Sequence, residues 1–224
     1  DRVVWAASMV ACGDADGAVT GNTRRFGASF EKITQVVGAR NDEIMFGLNM
    51  IVFKGKTIFV ADTSVHEYPS SEEMSEIAIS AARVVRLFGI DPKVAFVSHS
   101  TFGQPLTSRT KHIKKAVDIL KDKNVDFEFD GDMQPDVALN DEYKDLYPFS
   151  NIVGNANILI MPGQHSAAIS YKMLKTLGDT KVIGPLLIGL GLPIEIAPLR
   201  TSTSELINLA SIAAYSADKI DYKK

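Results

Sequence analysis

The feature that most constrains this chain is the alternation of short β-branched apolar runs with apolar stripes at helical spacing. Ala18-Val19-Thr20 reads as a strand, and Phe30, Ile33, Val36 and Val37 then form a helical stripe. Residues 44–53 and 57–61 read as a strand pair around the Lys54-Gly55-Lys56 turn. Ser70 and Glu73 have the spacing of a capping box, and the stripe Met74, Ile77, Ala81, Val84, Val85 and Phe88 runs to a stop at Gly89. Further strands are expected at 93–97, 126–129, 157–161, 182–188 and 194–197. A basic helix carries Ile113, Val117 and Leu120, and others fall near 166–177 and 204–215. Such alternation with one hairpin implies a mainly parallel sheet with helices on both faces. Ligands of such sheets sit outside the carboxyl ends of the strands. Function is therefore expected in the loops 20–28, 98–109, 130–136, 162–166 and 197–204.

Composition narrows the classes of partner. The 224 residues are 46% hydrophobic and carry a net charge of -3, which leaves no broad cationic surface for nucleic acid. The longest apolar stretch, 182–192, holds Gly and Pro and is shorter than a membrane helix requires. Cys12 is the single cysteine, so no internal disulfide or cysteine metal cluster is expected, and its expected place is buried. A reducing, cytoplasmic setting fits. The chain opens at Asp1 straight into the helix-like segment Val3–Val10, as a piece of something longer would.

Several familiar signatures are missing. There is no phosphate-binding loop of the Gly-x-x-x-x-Gly-Lys type and no His-Glu-x-x-His helix, and Gly189-Leu190-Gly191 lacks a third glycine, with Ile194 in its place. Ser98-His99-Ser100-Thr101-Phe102-Gly103 lies at a strand-to-helix junction, where hydroxyls and backbone N–H groups either hold an anion or simply make a turn and cap. Asp130-Gly131-Asp132-Met133-Gln134-Pro135-Asp136 crowds carboxylates without calcium-loop spacing and reads as a solvated turn. Of the four histidines, His112 reads as part of a solvated face, and His165, directly after a strand, is the best candidate for ligand contact. Arg24-Arg25 is either a phosphate clamp or an ordinary exposed pair.

Together the motifs resemble the phosphate acetyl/butyryl transferase family. The stretches that carry the resemblance are Ala15–Gly21, Phe59–Thr63, Lys93–Gly103, Asp130–Asp136, Gly154–Pro162 and Ile183–Leu190, in the family's order. Ala61-Asp62-Thr63-Ser64-Val65-His66-Glu67, Ser100–Gly103 and His165–Ser170 are similar to the form at the carboxyl end of multidomain NADP-dependent malic enzymes. The resemblance implies an α/β fold of the isocitrate/isopropylmalate dehydrogenase kind, with two lobes flanking a cleft. Residues 1–45 with 190–224 would form the first lobe, and 46–189 the second. A malic enzyme catalytic domain would then precede this segment in the same chain. Its NADP and Mg or Mn sites would lie outside the segment, and a homo-oligomer is expected.

Family members move acetyl between CoA and phosphate, using arginines, a Ser-Arg pair and a downstream acid. By position, the Ser-Arg pair falls on Pro198 and Leu199, and an arginine falls on Glu31, a reversal of charge. Glu205 stands at the acid position, and Arg200 lies one residue beyond the lost pair. The resemblance thus implies a domain that binds acetyl-CoA without turning it over and regulates an attached malic enzyme. Ligand contacts are expected from Arg24, Arg25, Ser98, Ser100, Thr101, His165 and Arg200. One alternative is a working acyltransferase in which Arg200 and Arg24 or Arg25 replace the missing clamps. Another is an assembly module using the helical face Leu206, Leu209 and Ala213.

Overall fold

The computed structural model describes residues 1–220 and 222, apart from the side chains of Asp42 and Lys144. The chain divides into Asp1–Asn49 with Ile183–Lys224, here unit one, and Met50–Val182, unit two. The divisions fall inside β2 (Phe46–Phe53) and β7 (Lys181–Ile188).

Unit one is built on two short parallel strands, β1 (Ala18–Gly21) and β8 (Ile194–Ala197), with Ala18 opposite Ile194 and Gly21 opposite Ala197. Helices α1 (Arg2–Cys12), α2 (Phe26–Thr34) and α7 (Thr203–Lys219) pack around them. Helix α1 forms because Val3, Ala7 and Val10 recur on one face, which is buried with Ile33, Val37, Ile194 and Ile196. Its first turn is capped by the Asp1 carboxylate, which accepts from Val3 N at 2.9 Å, and it ends at Gly13 with φ 80°. Cys12 lies on the outer side of this helix and is exposed, contrary to the burial expected of a free cysteine. Its place in the last turn puts it off the Val3–Ala7–Val10 stripe. Of the α7 stripe, Leu209 and Ala213 are buried and Leu206 is half-buried.

Unit two centres on parallel strands β3 (Lys56–Ala61), β6 (Ile158–Ile160), β4 (Lys93–Val97) and β5 (Glu128–Met133). The sheet runs β5-β4-β6-β3-β2-β7, with β2 and β3 joined by the tight Lys54-Gly55 turn. Successive side chains in a strand point to opposite faces. Val60, Ala95, Val97 and Leu159 therefore share one face, buried with Val137 and Ala138 of α5 (Pro135–Leu139) and Ala167 of α6 (Gln164–Leu177). The alternate residues Phe59, Phe96 and Ile158 are also fully buried, and α3 (Ser71–Leu87) lies against β3, β4 and β6. Helix α4 (Ser108–Asp122) packs beside α3 and β5. The result is a mixed α/β unit with helices over both faces of its sheet.

One strand lies elsewhere than the sequence suggested. The run 126–129 is the lead-in to β5, which extends to Met133, so Asp130 and Asp132 belong to a strand. They are 5% and 2% exposed, not solvated turn residues. Their burial is possible because the carboxylates meet backbone and hydroxyl donors, as unpaired buried charge would not persist. Among the described residues no helix is long and apolar enough to cross a membrane.

Candidate functional site

The carboxyl edge of the unit-two sheet is organised by two buried aspartates. Asp62, directly after β3, is 1% exposed and accepts the backbone N–H groups of Ser64 (2.8 Å), Val65 (3.2 Å) and His66 (2.7 Å). The His66 ring also bonds it through Nδ1, at 2.8 Å. That hydrogen bond raises the His66 pKa above its ordinary value, against the opposing effect of burial. Asp132, at the end of β5, accepts from the Ser100 hydroxyl and from Gly103 N at 2.9 Å. Each carboxylate thereby shapes a loop that would otherwise leave its backbone donors unpaired.

These bonds decide which expected ligand groups face outward. Ser100 is fully buried and donates its hydroxyl to Asp132, and Thr101, 5% exposed, accepts from Gln134 N at 3.2 Å. Both hydroxyls are engaged within the loop. Ser98, 6% exposed and with its Oγ 3.2 Å from Ser100 Oγ, lines a cavity of about 570 Å³ together with His165, Tyr68 and Arg109. Two of the expected ligand residues, Ser98 and His165, are thus brought to one cavity.

The rim is built by close approach of the loops after β3 and β6. Gly163 lies so near the first loop that a Cβ there would stand 2.5 Å from Glu67 O. Gln164 N donates to His66 O at 3.3 Å, and α6 starts at that point. His165 is thereby set beside Glu67 (Nε2 to Oε1, 3.4 Å) and parallel to Tyr68, with ring centroids 6.3 Å apart. The Arg109 guanidinium lies over the Tyr68 ring at 5.0 Å. Neither Tyr68 nor Arg109 stood out in the sequence. Tyr68 lies just before the Ser70 cap of α3, and Arg109 just after the Thr107 cap of α4, whose box closes on Thr110 and not on Glu or Gln.

His112 on α4 is exposed but not idle. Its Nε2 donates to Pro69 O at 2.9 Å, and its backbone carbonyl accepts from Ser71 Oγ at 2.8 Å. It pins the start of α3 to α4, which is more than a solvated face would do.

In unit one the loops after β1 and β8 are sewn together by Asn22. Its N–H donates to Ala197 O (2.9 Å), its carbonyl accepts from Arg200 N (3.2 Å), and its side-chain oxygen accepts from Thr201 N (3.0 Å). Gly21, at φ 95°, could carry no side chain, since a Cβ would lie 2.3 Å from Ala197 O. Pro198 and Leu199 occupy the turn, and Leu199 is 53% exposed. Ser202 caps α7, and Glu205 closes the box, accepting from Ser202 N at 2.8 Å and Ser202 Oγ at 2.7 Å. Arg24 pairs with Asp1 at 2.6 Å, whereas Arg25 and Arg200 are exposed. Glu31 is exposed on α2.

Beneath this loop Glu195 is buried in β8, accepting from Leu187 N at 2.9 Å. Burial pushes its pKa from 4.5 to about 8, only partly offset by that bond. Nothing in the sequence singled it out, because an isolated Glu between isoleucines reads the same buried or exposed. Among the described residues no group of three His, Cys, Asp or Glu is placed to hold a metal ion.

The chain matches the model of a family described as phosphate acetyl/butaryl transferase over residues 1–214. It is 46% identical over 97% of its length to an NADP-dependent malic enzyme of Rhizobium meliloti, of which it covers 28%. It is 31% identical over 98% of its length to a phosphate acetyltransferase of Clostridium acetobutylicum, covering 68% of that protein. A phosphotransacetylase from Streptococcus pyogenes superposes with a TM-score of 0.91 at 28% identity, over 98% of this chain and 68% of that one. The chain therefore spans less than a third of the malic enzyme and about two thirds of the transferases.

Proposed function

We propose, from the premise that this chain belongs to the phosphate acetyl/butaryl transferase family, that it binds acetyl-CoA without transferring the acetyl group. In this reading it is a regulatory and assembly module within a longer NADP-dependent malic enzyme. The parent would oxidatively decarboxylate malate to pyruvate in the cytoplasm, with its NADP and divalent metal sites outside this segment. Support for the malic enzyme context comes from the 46% identity to one such protein. The kinship of the two units with the isocitrate dehydrogenase group belongs to the same reading.

The observation that carries the loss of turnover is the turn after β8. At the positions onto which the family resemblance carries a serine and an arginine, it offers the ring of Pro198 and the alkyl side chain of Leu199. Neither donates a hydrogen bond to charge developing on a phosphate. Loss of one such donor typically lowers turnover by about 10²–10³-fold. Glu31 adds a carboxylate where a cation is needed, and the Glu205 carboxylate is held by Ser202 at the start of α7. For regulation, acetyl-CoA must favour one conformational state of the assembly over another.

Two measurements on one sample test this. Isothermal titration with acetyl-CoA is expected to give heat, while thiol release from acetyl-CoA in phosphate stays at background. No heat at millimolar acetyl-CoA from folded protein would remove the binding claim. Turnover that disappears in Glu205→Gln would make the chain a working acyltransferase, with exposed Arg200 the first group to suspect.

A further inference from the structure

Two cavities of unit two adjoin and share four lining residues. The first, of about 570 Å³, lies at the carboxyl ends of β3, β4 and β6, lined by Val97, Ser98, Ile113, Met161 and Pro162 among others. The second, of about 410 Å³, is bordered by Ser70, Glu73, Ser108 and His112 and shares Tyr68, Arg109, Ile113 and Pro162 with the first. Their common boundary is therefore formed by Tyr68 and Arg109 with the apolar Ile113 and Pro162.

The chemistry of that boundary is unusual for a surface. The Arg109 guanidinium lies over Tyr68 at 5.0 Å, and the Tyr68 and His165 rings are parallel within 10° with their centroids 6.3 Å apart. Tyr68 is 60% exposed, so its ring is presented and not packed away. Flat π surfaces beside an apolar wall suit a planar heteroaromatic ring, which stacks on aromatic faces whatever its edge pattern. Arg109 has no ion pair among the described residues, so its charge is available to an anion next to that ring. The His165 ring instead has Glu67 beside it, Nε2 to Oε1 at 3.4 Å, and Glu73 keeps the second cavity from being uniformly cationic. The first cavity falls within the ~300–1,000 Å³ typical of small-molecule sites.

We infer that this double cavity is a nucleotide subsite: a purine ring stacks on Tyr68 and His165 in the first cavity, and a phosphate meets Arg109 at the entrance to the second. The inference deepens the acetyl-CoA reading and rests on it, since the nucleotide part of CoA has this chemistry. A free adenine nucleotide has it too.

The test is isothermal titration of the protein with acetyl-CoA, acetyl-pantetheine, adenosine 3′,5′-bisphosphate and ADP. Acetyl-CoA is expected to bind at least about tenfold tighter than acetyl-pantetheine, the effect of one base–aromatic stack. Tyr68→Leu should erase that advantage and Tyr68→Phe should keep it. Arg109→Gln should weaken adenosine 3′,5′-bisphosphate and leave acetyl-pantetheine unchanged. ADP binding as tightly as acetyl-CoA would identify a free nucleotide as the occupant of the same subsite. Equal affinity for acetyl-CoA and acetyl-pantetheine, or nucleotide binding indifferent to Tyr68→Leu, overturns the subsite while leaving acetyl-CoA recognition standing. Failure of all four ligands to bind the folded protein overturns both. The exposure of Tyr68 makes its variants tolerable to the fold, and circular dichroism confirms that each is folded.

Discussion

Replacing Glu195 with Gln should stabilise unit one, and by an amount that grows with pH. The carboxyl is buried and holds its proton to about pH 8, whereas in the unfolded chain it ionises near its ordinary 4.5. Between those values the unfolded state binds fewer protons than the native state, so native stability falls as pH rises. Below pH 4.5 both states are protonated and the penalty vanishes. At ~1.4 kcal/mol per pH unit, the penalty reaches about 3 kcal/mol at neutral pH. Gln is nearly isosteric and its oxygen can still accept from Leu187 N, whose bond to Glu195 measures 2.9 Å. Urea unfolding followed by circular dichroism, at pH 5 and pH 7.5, gives the comparison. The stability gap between Glu195→Gln and the parent should widen by about 3 kcal/mol between the two. A gap that is the same at both values would mean that Glu195 ionises in the native state, and the burial argument would be wrong.

The other predictions concern the loops. Asp62→Asn should lower the His66 pKa, since the hydrogen bond to Asp62 is what raises it; an NMR titration of the ring that shows no change refutes the assignment. The stability that the His66–Asp62 bond contributes is present below the unfolded histidine pKa of 6.5 and fades as pH rises through the raised native value. Ser202→Ala should cost about 1 kcal/mol through loss of the α7 cap, and Glu205→Gln much less, because an amide oxygen still accepts from Ser202 N. A thermal melt in which Glu205→Gln is the more damaging change would assign that carboxylate another task. Gly21→Ala should lower stability by about 2 kcal/mol or more, as its Cβ would stand 2.3 Å from Ala197 O at φ 95°; an unchanged melting temperature would contradict the register of β1 on β8.

Much of the scaffold was readable from residue pattern because its signals are local. The Lys93–Val97 and Ile194–Ala197 strands and the Ser70/Glu73 box lie where apolar run and cap chemistry put them. The second box, Ser202 with Glu205, carries the same signal, yet Glu205 was read there only as a family acid. Both meanings attach to one residue, and spacing alone cannot separate a carboxylate that caps a helix from one that moves a proton.

Residue identity and order are enough for the alternating plan and the family, and they put an apolar Pro198-Leu199 pair after the last strand. Only the tertiary structure decided that Asp130 and Asp132 are buried, that Ser100 and Thr101 turn inward while Ser98 and His165 reach a cavity, and that Arg109, Tyr68 and His165 stack. Each of those depends on a donor, ring or carbonyl brought from a distant part of the chain. Hydrogen bonding and desolvation act on distance in space, and the order of residues along the backbone does not encode that distance locally.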